Sequence, residues 1–587
     1  MAARKLNKKD GVDDLVLMET VSEESIVENL QKRFKKSEIY TYIGPVLLSV
    51  NPFQTIRNLY GPTKIQQYCG RYAYELKPHV YAVAETTYRN LLSAQKNQCV
   101  LVSGESGAGK TEAAKKLLEY ITAVSGSSRT GQKNLKEQLL RSNPVLESFG
   151  NAKTSRNDNS SRFGKYMQIM FDYGGAPTSA SITNYLLEKP RVVGPADGER
   201  NYHIFYQLIA GQDFAEEQYN FSLQLPGPGT FAYLASSSCT RIQGVNDGDE
   251  FCDVVGGMND VGLQYSAQIS IFKIIAGILW LGNISFGDRG SQDGDAKVST
   301  LGPLENAASY FGVDPLSLQK AVTNRTVNAG TGSFIRKPLN GKEAAETRDA
   351  LAKALYSRTF SRLVQLINEQ TRHQDGYAYR ELEIGILDIF GFEIFETNSF
   401  EQLCINYCNE KLQQVFVELT LRAEQEEYSS EGIAWTPVNF FNNKVVCELI
   451  ERKRPAGILA YLDEECIYPQ ANDQSLLKKL DNNLRSHAHF VAKMGTGGRG
   501  KSGSFVVKHF AGDVTYSVNG FLDKNKDTLY GDLINLMAGS NDTFIAELFP
   551  DQSTKKRPPT AGYQFRQSMQ RLVKELMACE PHYIRCI

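Results

Sequence analysis

The 587 residues predict an α/β fold, on three observations. Apolar runs of strand length lie at Tyr40–Phe53, Gln98–Gly104 and Glu383–Asp388, the second ends in a glycine-rich turn, and that turn opens at once into a helix-period pattern. A length prior of about 150 residues per domain gives roughly three or four subdomains, enough for a large enzyme.

Taken in chain order, Arg4, Lys5, Lys8 and Lys9 make a basic start that reads as a solvated, frayed terminus. From Tyr40 the run TYIGPVLLSVNPF reads as one buried strand closed by Asn51-Pro52, and QCVLVSG as a second. Ala113, Leu117, Leu118 and Ile121 recur at the helical period. Ile269–Phe286 is the most apolar stretch. It contains Lys273, Gly277, Gly282 and Asn283 and barely reaches bilayer length, so a buried core helix is expected rather than a membrane span. EIGILD (Glu383–Asp388) is a third core strand. Phe400, Leu403, Tyr407, Leu412, Val415, Phe416 and Leu419 then mark a helix that could run about 40 Å. Within Asp523–Phe549 the periodicity gives two short helices joined at Ala538-Gly539-Ser540. Gly495–Gly503 and Pro550–Gly562 read as exposed loops, the latter holding Lys555, Lys556, Arg557, Pro558 and Pro559. Phe565, Met569, Leu572 and Leu576 share one face of a last helix before PHYIRCI enters the sheet, and no internal repeat is found.

Composition narrows the function. Hydrophobic residues at 41%, charged at 22% and a formal net charge of -1 leave no global basic excess for nucleic acid or an anionic membrane. Ten cysteines, scattered singly without a CxxC pair, and no secretory leader at Met1 read as reduced thiols of a cytosolic protein without a Cys/His metal site.

Gly104-Glu105-Ser106-Gly107-Ala108-Gly109-Lys110-Thr111, followed by Glu112, matches the Walker A pattern in the context it needs, after a strand and before a helix. Its glycines let backbone N–H groups form an anion nest at a helix N-terminus. Lys110 can reach the β- and γ-phosphates and the Thr111 hydroxyl can ligate Mg²⁺, so the implied ligand is a nucleoside triphosphate with Mg²⁺. The pattern alone is weak, because Gly495 to Ser502 also satisfies it; that stretch leads into SFVVKHF, an alternating strand, and reads as a surface loop. Phosphoryl transfer needs further loops at the γ-phosphate. Asn157-Asp158-Asn159-Ser160-Ser161-Arg162-Phe163-Gly164-Lys165 offers hydroxyls and an arginine, though alone it would be a turn. Asp388-Ile389-Phe390-Gly391-Phe392-Glu393 ends a buried strand on an aspartate and offers an unshielded N–H at Gly391, though alone it could be ordinary strand-end chemistry.

Together these three motifs resemble the myosin family, whose GESGAGKT, NxNSSRFGK and DIFGFE they reproduce without a substitution. NPFQTIRNLY, KPHVYAVAE, NYLLEKPRVV, GERNYHIFYQL, DALAKALY and HYIRCI recur in order, so the likeness runs from Gly11 to Ile587. It implies a P-loop NTPase-type mixed central sheet with large helical upper and lower subdomains. The expected divisions are 1–190, 191–387, 388–562 and 563–587, with the converter, IQ lever and tail absent. The resemblance also implies roles. Asn51, Pro52 and Tyr60 lie on the purine side; Asn157 contacts phosphates; Ser161 joins Thr111 on Mg²⁺; Ser160 lies beside the attacking water; and Asp388 holds a metal-bound water in the second shell. Arg162 and Glu393 form the pair that closes when Gly391 reaches the γ-phosphate, and the helix after Phe400 is the relay. Filamentous actin would meet the helix-loop-helix at Lys524, Asn525 and Lys526 and the basic loop at Lys555, Lys556 and Arg557.

A P-loop as early as Gly104 and a hydroxyl at Ser333, sixteen residues before Asp349 of DALAK, resemble the single-headed amoeboid and fungal class I, with a heavy-chain kinase expected at Ser333. Light chain or calmodulin would belong to the missing lever, and membrane contact to a missing tail. The implied function is an actin-activated ATPase at the cytoplasmic actin cytoskeleton, the cell cortex for class I. The other readings are a nucleotide-sensitive actin-binding module without productive motility and, more distantly, a kinesin-like motor, which would lack the actin-side segments.

Overall fold

The computed structural model describes residues 11–125, 135–288, 295–328, 334–372, 382–468, 470–494, 503–527, 529–550 and 560–587. The expected segments at Gly495 to Ser502, Ser333, and Lys555, Lys556 and Arg557 lie outside the described residues.

Among the described residues, seven strands build a central mixed sheet: β1 (Tyr40–Ile43), β2 (Val46–Ser49), β3 (Gln98–Gly104), β4 (Gly164–Phe171), β5 (Pro177–Tyr185), β6 (Leu382–Asp388) and β7 (Glu580–Cys586), in the order β1-β2-β7-β3-β6-β4-β5. β2, β7, β3 and β6 run parallel, while β1, β4 and β5 pair antiparallel at the two sides. Parallel strands covered on both faces read as continuous apolar runs, and Cys99, Val100, Leu101 and Val102 are all buried. The single strand expected from Tyr40 is instead a hairpin. Gly44 at φ +55°, followed by Pro45, turns the chain back, and a proline cannot donate to a ladder.

The helix after the phosphate loop, α1 (Lys110–Val124), buries Ala113, Leu117, Leu118 and Ile121 as its periodicity dictates. α2 (Tyr265–Gly282) is the apolar helix of membrane length, and it is a core helix: Ile271, Phe272, Ile275, Ile278 and Leu279 are buried inside the protein. α3 (Phe400–Phe416) begins the long helix at the expected residue. It passes through a π turn at Val417–Arg422 and continues as α4 (Ala423–Ser430), giving a rod of about 45 Å.

The Asp523–Phe549 region folds as Phe521–Lys526, then α5 (Gly531–Ala538) and the short helix Thr543–Glu547, with the expected turn at Gly539 and Ser540. α6 (Ala561–Leu576) buries Phe565, Met569, Leu572 and Leu576, and β7 inserts between β2 and β3. All ten cysteines are free.

Candidate functional site

Two loops that leave the C-terminal ends of β3 and β6 and a third that enters the N-terminal end of the antiparallel β4 converge where β3 meets α1. The phosphate loop follows β3 and turns through glycines at positive φ, with Gly104 pressed so closely on β7 that a Cβ there would sit 2.1 Å from the Cys586 carbonyl oxygen. Lys110 opens α1 with its ammonium buried, donating to the Glu105 carbonyl at 2.6 Å. Burial lowers its pKa, while the Asp388 carboxylate at the end of β6 pulls the other way. Ser106, Gly107, Ala108 and Gly109 complete the turn. Glu105 and Glu112 are exposed, the latter paired with Lys115 at 3.1 Å.

The Asn-rich loop, which ends where β4 begins, brings its hydroxyls to this helix start. Thr111 Oγ1 and Ser161 Oγ are 3.2 Å apart, although fifty residues separate them in sequence. Two adjacent hydroxyl oxygens of different loops suit a hard cation that prefers oxygen. Asn157 closes its own turn, its Oδ1 accepting from Asn159 N at 3.0 Å. On the other side Asn51 Nδ2 donates to the Gly107 carbonyl at 2.7 Å, tying Asn51-Pro52 to the phosphate loop. Tyr60 shares a 2.6 Å hydrogen bond with Tyr40 and carries Lys116 over its ring at 4.8 Å.

The third loop, after β6, lies directly on the first. A Cβ on Gly391 would stand 2.3 Å from the Gly104 carbonyl oxygen and 2.6 Å from the Glu105 carbonyl carbon, so only glycine fits. Two residues on, Glu393 Oε1 accepts from Arg162 Nη1 at 3.2 Å, and both side chains are buried. The same Nη1 reaches Ser160 Oγ at 3.3 Å. Glu393 Oε2 is buried without a partner among the described residues.

Several residues that sequence reasoning did not single out complete the arrangement. Arg162 Nε donates to Glu188 at 2.7 Å, and Arg191 donates to the same Glu188 oxygen at 2.7 Å. Burial alone would raise the Glu188 pKa, but the two guanidinium groups outweigh it and hold the carboxyl at about 2. On Arg162, burial opposes the charge while Glu188 and Glu393 outweigh it, so the guanidinium stays protonated. Arg156 adds a second link between the two loops, donating to the Ile394 carbonyl at 3.3 Å. On α3, Asn406 grips the Glu393 backbone from both sides at 2.9 Å and donates to Tyr516, while Asn409 Nδ2 donates to the Phe390 carbonyl at 3.1 Å. Glu188 sits within NYLLEKPRVV and Asn406 and Asn409 within the long helix. Nothing in their spacing points at the phosphate loop, because sheet order and helix docking bring them there.

The expected partner-facing residues divide. Lys524 is one-third exposed and engaged with Ser399 Oγ at 2.9 Å and Glu401 at 2.7 Å. Asn525 corrects the expectation: it is wholly buried, donating to Asp463 at 3.2 Å and accepting from Gly562 N at 2.7 Å, so its amide joins two segments of this chain rather than facing a partner. Lys526 is half-buried. The turn after α5 seats on α2 and the Phe311 turn, with Ser540 Oγ donating to the Phe311 carbonyl at 2.6 Å and Ser270 to Asp542 at 2.8 Å.

Comparison with known proteins agrees with this geometry. The myosin head (motor domain) family matches residues 12–587. Myosin ID heavy chain of Dictyostelium discoideum is 48% identical over 98% of this chain and 52% of its own length. Myosin IE heavy chain of the same organism is 48% identical over 99% and 58%, and Myosin-1 of Coprinopsis cinerea (strain Okayama-7 / 130 / ATCC MYA-4618 / FGSC 9003) is 48% identical over 99% and 45%. The chain therefore spans about half the length of these relatives. With a phosphate loop, an Asn-rich loop and a glycine-hinged loop assembled on one mixed sheet, and a match over nearly all of its length, the chain belongs to the myosin head (motor domain) family.

Proposed function

We propose that this chain binds and hydrolyses MgATP and that filamentous actin accelerates product release, the head gripping filaments and letting go when ATP binds. The single observation that carries this reading is the closed gate. Arg162 meets Glu393 at 3.2 Å in a buried setting, and Gly391 lies on the phosphate loop with no room for a side chain.

The chemistry follows from where the groups stand. The turned-in backbone and Lys110 take the phosphates, and Asn51, Pro52 and Tyr60 line the purine side. Thr111 and Ser161 fit Mg²⁺ through their adjacent hydroxyls, with Asp388 behind them. Bound there, Mg²⁺ neutralises charge on the phosphate oxygens. Ser160 is held by Arg162 at the inner wall, where its hydroxyl can orient a nucleophilic water, and the buried second oxygen of Glu393 is free to accept from that water. The Arg162–Glu393 pair closes the back of the site and excludes bulk water, so hydrolysis is confined to the closed arrangement. Glu188 and Arg191 hold Arg162 in place.

A pure nucleotide-sensitive actin-binding module would share the binding loops but has no need of this gate, which favours the enzyme. The basic loop with Lys555, Lys556 and Arg557, together with Lys524 and Lys526, is assigned to actin, and Ser333 to a heavy-chain kinase. The cytoplasmic cortex follows from that partner. Steady-state MgATP hydrolysis by the purified chain, with and without filamentous actin, tests the reading. Hydrolysis that rises with actin is expected; equal rates, or none, contradict it.

A further inference from the structure

One buried cation near the site has no role in the scheme above. Lys165 lies opposite Asp388 in the β4–β6 register, and its ammonium is 3.5 Å from that carboxylate, with both side chains almost wholly buried. Asn143 Oδ1 accepts from the same ammonium at 3.4 Å. The three groups, with apolar Leu118, Met167 and Ile386 and the side of Lys115, whose ammonium pairs with Glu112 and Glu147, line a cavity of about 10 Å³, the room of a single water with polar partners. The carboxylate sits opposite Val102 on β3, two residues before Gly104 of the phosphate loop. A buried carboxylate is costly unless paired; Lys110 acts on Asp388 from farther off and donates to the Glu105 carbonyl, which leaves Lys165 as the ammonium in direct contact. A divalent cation supplies a counter-ion only while nucleotide is bound.

We propose that Lys165 is a positioning residue for the metal site: its ammonium is the resident counter-ion of Asp388, and the metal of an incoming Mg²⁺-nucleotide takes over part of that role in competition with the internal ion pair. This rests on the MgATP reading. Two consequences follow. Without nucleotide, Lys165 stabilises the fold by neutralising Asp388. With nucleotide, Lys165 weakens the hold on Mg²⁺, because charge already spent on the ammonium is less available to the metal.

The test uses Lys165→Met, which keeps length and removes charge, and the double variant Lys165→Met/Asp388→Asn. Without nucleotide, Lys165→Met is expected to melt below the parent protein and the double variant to recover most of the loss, since no unpaired charge remains. Saturating MgADP is expected to raise the melting temperature of Lys165→Met more than that of the parent. The free Mg²⁺ that half-suppresses release of a fluorescent ADP should fall about fivefold or more. If Lys165→Met does not fold, a folded double variant supports the pair and an unfolded one overturns it. Unchanged melting of Lys165→Met without nucleotide, or an unchanged Mg²⁺ requirement, also overturns it. Failure of MgADP to stabilise the parent protein would instead count against the MgATP reading, and the nucleotide-free melts would still decide the ion pair.

Discussion

Lys110 illustrates what one residue does here: a buried ammonium at the start of α1, donating to the Glu105 carbonyl at 2.6 Å. Lys110→Ala is expected to abolish MgATP binding at micromolar nucleotide, because N–H groups alone do not neutralise a triphosphate; binding titrations with a fluorescent ATP check this. Gly391→Ala should slow hydrolysis at least about tenfold, since the added methyl collides with the backbone of Gly104 and Glu105 and the loop must back away. The Arg162–Glu393 pair was legible as two charged residues of recognisable motifs. Glu188 was not, and it alters a test: swapping the two charges would set a new carboxylate at position 162 against Glu188, so a swapped double variant is not expected to recover. Two buried histidines, His79 and His203, and the half-buried His582 weaken the fold in acid. Burial lowers His79 and His203 to about 3 and His582 to about 4, so each stays neutral in the fold while the unfolded chain protonates below about 6.5. The unfolded state thus binds more protons, and stability is full above about 6.5 and lost as pH falls toward 3 to 4, on the order of 1 kcal/mol per pH unit per histidine. Urea midpoints at pH 7 and pH 5 should show the decline. Glu188, held at about 2, contributes stability that is present above its unfolded value near 4.5 and is lost as pH falls toward 2.

Among the elements, β3 and β6 and helices α1, α2 and α3 were legible because one rule dominates each: a buried central strand is a nearly continuous apolar run, and a packed helix repeats its apolar face; β7, with Glu580, His582 and Arg585, was placed by its resemblance instead. The hairpin at Gly44-Pro45 was missed because three of the four residues on each side of the turn are apolar and hydropathy does not change across it. The π turn at Val417–Arg422 was also missed, since one inserted residue near the end of a long apolar pattern leaves little trace in it; such turns concentrate at functional positions. Asn406 is the joint between α3 and the Glu393 loop. Asn406→Ala would strand the Glu393 N–H and carbonyl in a buried place, a cost of about 1–3 kcal/mol. A lower melting temperature, together with slower MgATP hydrolysis, is the expected result; an unchanged melting curve would remove Asn406 from this role.

At the scale of the whole molecule, three strand ends and one helix start meet because β6 pairs parallel to β3 and antiparallel to β4, an order no local pattern in the sequence reveals. The loops were readable as motifs; that Thr111 touches Ser161 and Arg162 touches Glu393 is a property of that topology. Asn525 went the other way: its place in a segment resembling an actin contact suggested exposure, yet a neutral amide can bridge two segments and be buried completely. The central claim is that hydrolysis needs the closed gate while binding does not. Its most direct measurement is the phosphate formed in a single turnover of MgATP by Glu393→Ala beside the parent protein, with nucleotide binding followed in the same samples. ATP affinity close to the parent's and hydrolysis slowed at least about tenfold are predicted; hydrolysis at the parent rate would contradict the account.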